Sequence, residues 1–216
     1  MGLVSWQIAA QTQRGKSEDK LQLLKKMFTP ADDLHSFLAT LSQGEIDTYW
    51  YCYLMPGDYR LNETIEIKAH RLTLEGQNAR LFGGIKIEAD ECSIKNLVID
   101  RVGITESCIE FTGSYLEIRD CRLINGAYSI YGTGSYNRIK NNFCLDAERT
   151  GIYIVSGESI NVNLNTMRDG KLDRSIYYAE DVDNSIIGDN CVGGLIEYNG
   201  LNNIYEHDNY GVVAPY

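Results

Sequence analysis

Gly76, Asn96, Asp120, Asn142, Asn165, Asn190 and Asn209 follow one another at intervals of 20, 24, 22, 23, 25 and 19 residues. Each closes a short run of strand-forming residues: LTLEG, SIKN, EIRD, RIKNN, NLN, IIGDN and EHDN. Gly, Asn and Asp are the residues that tolerate left-handed backbone, so one of them per period reads as one sharp bend per period. A unit of about 22 residues is too small to bury an apolar face of its own and must stack on its neighbours, which makes a solenoid.

A second column keeps the same uneven rhythm. Ile85, Ile109, Ile130, Ile152, Ile176 and Ile196 are separated by 24, 21, 22, 24 and 20 residues. Each full unit holds three strand-like runs: one ending at the bend, one just after it (LVI, CRLI, FCL) and one carrying the isoleucine. Three short strands per turn with successive turns in register predict an all-β, single-stranded parallel β-helix of about seven to eight coils. An antiparallel sandwich would need hairpin dipeptides between neighbouring runs and would not make two columns coincide.

The chain before the repeats lacks this period. Residues 17–28 read as an amphipathic helix capped by Ser17, with Leu21, Leu24 and Met27 on one face. A second helix follows, capped by Thr29 with Pro30 at its first position and Leu34, Phe37, Leu38 and Leu41 as its stripe. These segments predict an N-terminal α-helical cap over residues 1–45 that covers the first coil, and a parallel β-helix over 46–216.

Composition narrows the partners. A formal charge of -10 argues against phosphate-backbone contacts and hence against nucleic acid. No run of about 18 apolar residues is present to span a membrane. MGLVSWQIAAQTQRGK has no basic region followed by a long apolar stretch, so no signal peptide is seen and a cytoplasmic or virion-associated protein is expected. Cys52, Cys92, Cys108, Cys121, Cys144 and Cys191 lack CxxC spacing and adjacent His, which excludes an evident zinc site and favours free thiols, with Cys121 and Cys144 stacked one coil apart.

The order of a helix, then PGDYRLNETIEI, then LTLEGQNARLFG, then coils with Asn at the bend, resembles the right-handed, pectate-lyase-like β-helix superfamily over about residues 30–216. In that superfamily the isoleucine strands form the first of three faces and the strands before the bend the second. Its members include pectate and chondroitin lyases, polygalacturonases, alginate epimerases and phage tailspikes, many of which bind polysaccharide beside the first face. The resemblance implies a carbohydrate-interacting protein, a polysaccharide lyase or glycoside hydrolase relative, and it alone brings Ca2+ into consideration. No cofactor is evident from the residues themselves.

Alternation along a strand turns the residue after each inward isoleucine outward. The groove column is then Lys86, Glu110, Tyr131, Tyr153, Tyr177 and Glu197, with three tyrosines on consecutive coils forming a strip suited to sugar rings. The competing reading is an aromatic stack that only covers the backbone. Glu110 and Glu197 flank the strip four coils apart, on the order of 19 Å, beyond the roughly 9.5 Å limit for paired hydrolase carboxyls. Nearer acids must come from loops: Asp146 and Glu148, Asp173, or Glu180, Asp181 and Asp183. Lyases of the superfamily use Arg or Lys as base, and the resemblance implies that role for Arg149 and Arg174, with Asp173 and Glu148 beside them. Surface arginines paired with neighbouring acids are the ordinary alternative.

A second outward column, Glu75, Lys95, Arg119, Lys140, Asn163 and Gly188, carries three consecutive basic residues, either a stripe for an anionic polymer or a solvated face. The edge left by the last coil predicts a homo-oligomer through the C-terminal coil. Beside the carbohydrate reading stands a non-enzymatic structural or assembly module, a phage fibre segment or an intracellular interaction β-helix, in which the same tyrosines form an interface.

Overall fold

The computed structural model describes residues 22–41, 48–61, 63–101, 106–168, 174–205 and the backbone of 210–215. Asp173, the bend at Asn209 and the first residues of the expected 17–28 helix lie outside them. Ile65, Ile85, Ile109, Ile130, Ile152, Ile176, Ile196 and Val213 stand over one another in parallel register. The seven isoleucines are 0–1 % exposed. The fold is thus a parallel β-solenoid of about 8 turns, and the isoleucine column found in the sequence extends one coil further back than Ile85.

The second face stacks Thr48–Leu54, the start of Leu72–Phe82 and of Ser93–Arg101, then Glu117–Arg119, Arg138–Lys140, Asn161–Asn163, Ile186–Gly188 and Ile204–Tyr205. The third face includes Arg122–Asn125, Phe143–Leu145 and Thr166–Arg168. Inside, Gly132 pairs with Phe111, and a Cβ there would lie 2.5 Å from that ring. The space glycine leaves is filled by the phenylalanine, which is 1 % exposed.

The bend involves two adjacent columns where the sequence suggests one. Asn96, Asp120, Asn141, Leu164 and Asp189 have φ of 55°, 57°, 54°, 57° and 52°, in the left-handed region. The residues that follow, Leu97, Cys121, Asn142, Asn165 and Asn190, are buried. Asn96 and Asp120 therefore do not share a column with Asn142, Asn165 and Asn190, and in the coil before them the left-handed residue is Asn78, at φ 58° ahead of buried Ala79, not Gly76. The inward asparagines make a ladder: Asn165 Oδ1 accepts from the backbone N–H of Asn142 at 3.0 Å and from its Nδ2 at 3.0 Å. Asn190 Oδ1 accepts in the same way from Asn165, at 2.9 and 3.1 Å. Asn142, Asn165 and Asn190 donate Nδ2 to the carbonyls of Ile118, Ile139 and Val162. Backbone groups that a sharp corner would leave unpaired in the core are thereby satisfied.

A second corner, unmarked in the sequence, precedes each second-face strand. Arg71, Glu91, Tyr115, Tyr136, Ser159, Asn184 and Asn202 all have φ between 49° and 59°. Behind them Asn137 Oδ1 accepts from Leu116 N at 2.9 Å and Ser185 Oγ from Ile160 N at 2.9 Å, the same device as at the first bend.

Three expectations need correction. Gln22–Phe28 is a strand, not part of a helix, and pairs in parallel with Thr48–Leu54. Its i, i+3 apolar spacing is overridden by the unpaired edge of the first coil, which offers seven residues a ladder of backbone hydrogen bonds. Met27 is consequently 64 % exposed and Phe28 alone in this strand is buried. The short helix Leu34–Thr40 exists, but its cap is Asp33, whose side chain accepts from Ser36 N at 2.9 Å; Thr29 instead bonds Asp32 in the preceding turn. Cys144 pairs with Leu123 and Met167, while Cys121 N–H bonds Asn142 Oδ1, so the two cysteines sit in different columns. Cys52, Cys92, Cys108, Cys121 and Cys191 are free thiols, and burial pushes the Cys121 thiol up to about 12.

Asn165→Ala would orphan two donors and remove three donated bonds, and should lower unfolding free energy by about 3 kcal/mol in urea titration. Leu164→Asn on the adjacent left-handed position, where the side chain is 52 % exposed, should instead raise it by up to about 1 kcal/mol. Equal effects at both sites would contradict the two-column bend.

Candidate functional site

On the first face the outward column runs Glu66, Lys86, Glu110, Tyr131, Tyr153, Tyr177, Glu197 in unbroken register. Tyr131, Tyr153 and Tyr177 are half-buried, with ring centroids 5.3 Å apart for the first pair and 4.8 Å for the second. The planes tilt by 54° and 38°, offset arrangements that aromatic quadrupoles favour.

Tyr128 joins them, 5.1 Å from Tyr131 and 5.5 Å from Tyr153. Strict alternation would send it inward with Ile130, but Ser129 is the buried residue here and Tyr128 turns out. The departure is shared by the next coil, where Thr150 and Gly151 precede Ile152 without alternating in burial. Nothing in the period-two pattern marks it.

The two arginines expected as bases occupy opposite ends of this cluster. Arg149 is exposed, with its guanidinium carbon 6.0 Å from the centre of the Tyr128 ring. A hydrogen bond with Tyr128, then attraction to that hydroxyl, pushes the Arg149 guanidinium further above its ordinary range. That direction makes it a poorer proton acceptor and a more persistent cation. Arg174 lies over Tyr177 at 4.6 Å and its Nε meets Glu197 Oε2 at 2.5 Å. Glu197 is 6 % exposed, so this guanidinium compensates a buried carboxylate.

Glu148 is exposed, its N–H bonded to Gly126 O. Glu110 faces Lys86, whose Nζ holds Glu88 at 2.5 Å. Tyr153 is raised by burial, then by the neighbouring Tyr177, Tyr131 and Tyr128, so its hydroxyl stays protonated at neutral pH and can donate. The strip is therefore a wall of flat rings with hydroxyl donors, flanked by a cation on one edge and by a neutralised Arg–Glu pair at one end. Among the described residues no three or more His, Cys, Asp or Glu side chains group to hold a metal.

The basic stripe of the second face is also in register, but its charge is internally cancelled. Glu117 lies between the three cations, 2.8 Å from Lys95, 3.5 Å from Arg119 and 3.8 Å from Lys140, and Arg119 also binds Asp120. This arrangement supports the solvated-face reading over the anionic-polymer one.

No protein family matches the chain, and no curated protein matches it. Among solved structures it superposes on a mannuronic acid specific polysaccharide family 6 lyase from human gut microbiota with a TM-score of 0.61 at 13 % identity. The chain has a parallel β-helix fold. The superposition covers 87 % of this β-helix and 58 % of the lyase, so the chain spans little more than half of that enzyme's length. A pectin methylesterase from Aspergillus niger, also 13 % identical, aligns over 93 % of this β-helix and 88 % of its own chain with a TM-score of 0.39.

Burial raises the Glu117 carboxyl, but the Lys95 hydrogen bond and the charges of Lys95, Arg119 and Lys140 outweigh it and hold the group below its usual value of 4.5. A folded pKa below the unfolded one adds stability that is complete above about pH 4.5 and is lost as pH falls through the folded value. Glu117→Gln should flatten that acid limb in thermal melts from pH 6 to 3. A limb as steep as in the unsubstituted chain would show that the cluster holds no linked proton.

Proposed function

We propose that this β-helix binds a polysaccharide lengthwise along its first face, with sugar rings seated on Tyr128, Tyr131, Tyr153 and Tyr177. The observation that carries the reading is the contiguity of these four half-exposed rings, whose neighbouring centroids are 4.8–5.5 Å apart. A pyranose has a CH face that packs on an aromatic ring and a rim of hydroxyls that needs donors and acceptors. The strip supplies both, and the stacking of coils makes its direction linear, matching a polymer rather than a globular ligand.

The polar surroundings refine the roles. Arg149 stands as an anchor for a carboxylate or hydroxyl substituent on a bound ring, since its charge is persistent and its side chain exposed. Arg174 is held by Glu197 and fixes the Tyr177 ring from above. Glu110 and Glu197, four register steps apart, are too distant for paired-carboxyl hydrolysis, and this favours binding over that chemistry. The fold neighbour is specific for mannuronic acid, which makes oligomannuronate the first ligand to try.

An array of acidic and neutral glycans, followed by titration of the best ligand, tests the reading. Tyr153→Ala at the centre of the strip should weaken binding at least tenfold, about 1.4 kcal/mol, with circular dichroism and melting behaviour confirming a folded chain. Binding that survives the substitution unchanged would remove the first face as the binding surface.

A further inference from the structure

A second aromatic site lies on the other corner of the solenoid. Tyr115 and Tyr136 occupy the unmarked bend on consecutive coils, their rings parallel within 8° and 4.9 Å apart. They are 58 % and 45 % exposed, far more than the first-face tyrosines, yet both hold left-handed backbone with φ of 58° and 59°. Bulky residues are uncommon there; other coils place Arg71, Glu91, Ser159, Asn184 and Asn202 in the same bend, asparagine at the lowest steric cost. Two strained, exposed, stacked rings where asparagine fits suggest that something other than folding is served.

Tyr115 borders a depression of about 520 Å³ over the second face, lined also by Tyr49, Thr73, Glu91, Ser93 and Lys95. That volume is within the roughly 300–1,000 Å³ usual for small-ligand sites. Both charged groups are already matched, Glu91 by Arg71 at 2.9 Å and Lys95 by Glu117 at 2.8 Å. The depression therefore offers no unbalanced charge to an ionic ligand. It offers the aromatic face of Tyr115, the Tyr49 ring with the Arg71 guanidinium over it at 5.7 Å, and two partly exposed hydroxyls, Thr73 and Ser93.

We propose that this depression, with Tyr115 as its wall and Tyr136 stacked beside that ring, is a second glycan site that takes neutral sugar residues. The site is separate from the first-face strip, so either can fail without the other. A neutral pyranose satisfies the geometry: its CH face packs on Tyr115 and its hydroxyls meet Thr73, Ser93 and the already paired charged groups.

The full chain is titrated with cellohexaose, xylohexaose and mannohexaose by calorimetry, alongside oligomannuronate. Tyr115→Asn keeps a residue suited to left-handed backbone. It should weaken neutral-oligosaccharide binding at least tenfold while leaving the melting temperature equal or higher. Tyr153→Ala should leave neutral binding as it was. The proposal fails if none of the three neutral hexasaccharides binds, if Tyr115→Asn binds them normally, or if Tyr153→Ala abolishes that binding. It also fails if Tyr115→Asn lowers the melting temperature by several degrees, which would make the stack a structural support. Concentration-dependent association lost in Tyr115→Asn, without glycan binding, would assign the rings to a protein interface instead.

Discussion

The structure depends on how each coil turns a corner without stranding its backbone in the core. A left-handed residue makes the bend, and the next side chain, pointing inward, reaches the coil beside it. Where that side chain is asparagine, one carboxamide accepts from a backbone N–H of the neighbouring coil and donates to a carbonyl of that same coil, as Asn165 does toward Asn142 and Ile139. The amides are 0–2 % exposed, so each bond is made in a low-dielectric interior where leaving it unmade costs most. Because Asn142, Asn165 and Asn190 are bonded in series, their positions along the axis are fixed together, and with them the register of every outward column.

Fixed register turns a one-dimensional sequence into a two-dimensional surface. Residues some two dozen apart become neighbours at the strand spacing of about 4.8 Å, so like charges in one column must be interrupted or matched. Glu117 does this for Lys95, Arg119 and Lys140, and Arg71 with Glu91 does it at the corner. Tyrosine has no such penalty. It can repeat on successive coils, and each added ring extends a continuous face. This explains why the clusters that could hold a long ligand are aromatic while the ionic columns close on themselves.

The solenoid and the first-face strip were legible because isoleucine and tyrosine recur at the coil repeat, and that repeat is set by backbone stacking. The first bend was only partly legible, since asparagine serves both as the left-handed residue, at Asn96 and Asn141, and as the inward amide, at Asn142 and Asn165. Two chemical roles share one letter in adjacent columns. The second bend left no compositional trace, because Arg71, Glu91, Tyr115, Tyr136 and Ser159 occupy it beside Asn184 and Asn202, and at two of these corners Asn137 or Ser185 binds the backbone N–H that follows the bend. Tyr128 escaped for a related reason, because a local break in alternation follows from three-dimensional packing around Ser129. The strand Gln22–Phe28 was hidden by a helical spacing of Leu and Met that the open edge of Thr48–Leu54 overrides.

The two tyrosine clusters differ in what surrounds them, and this separates their chemistry. The first-face rings are half-buried, tilted and flanked by exposed Arg149 and by Arg174, which Glu197 holds, so the Arg149 cation lies within reach of a ring substituent seated there. The corner rings are parallel and more exposed, with nearby charges already satisfied. A polymer carrying carboxylates gains from the cation of the first environment and little from the second, whereas an uncharged polymer gains nothing from that cation. A chain with both surfaces can discriminate by charge at one and tolerate neutral glycans at the other, with the axial register of the asparagine ladder holding the two at a constant separation.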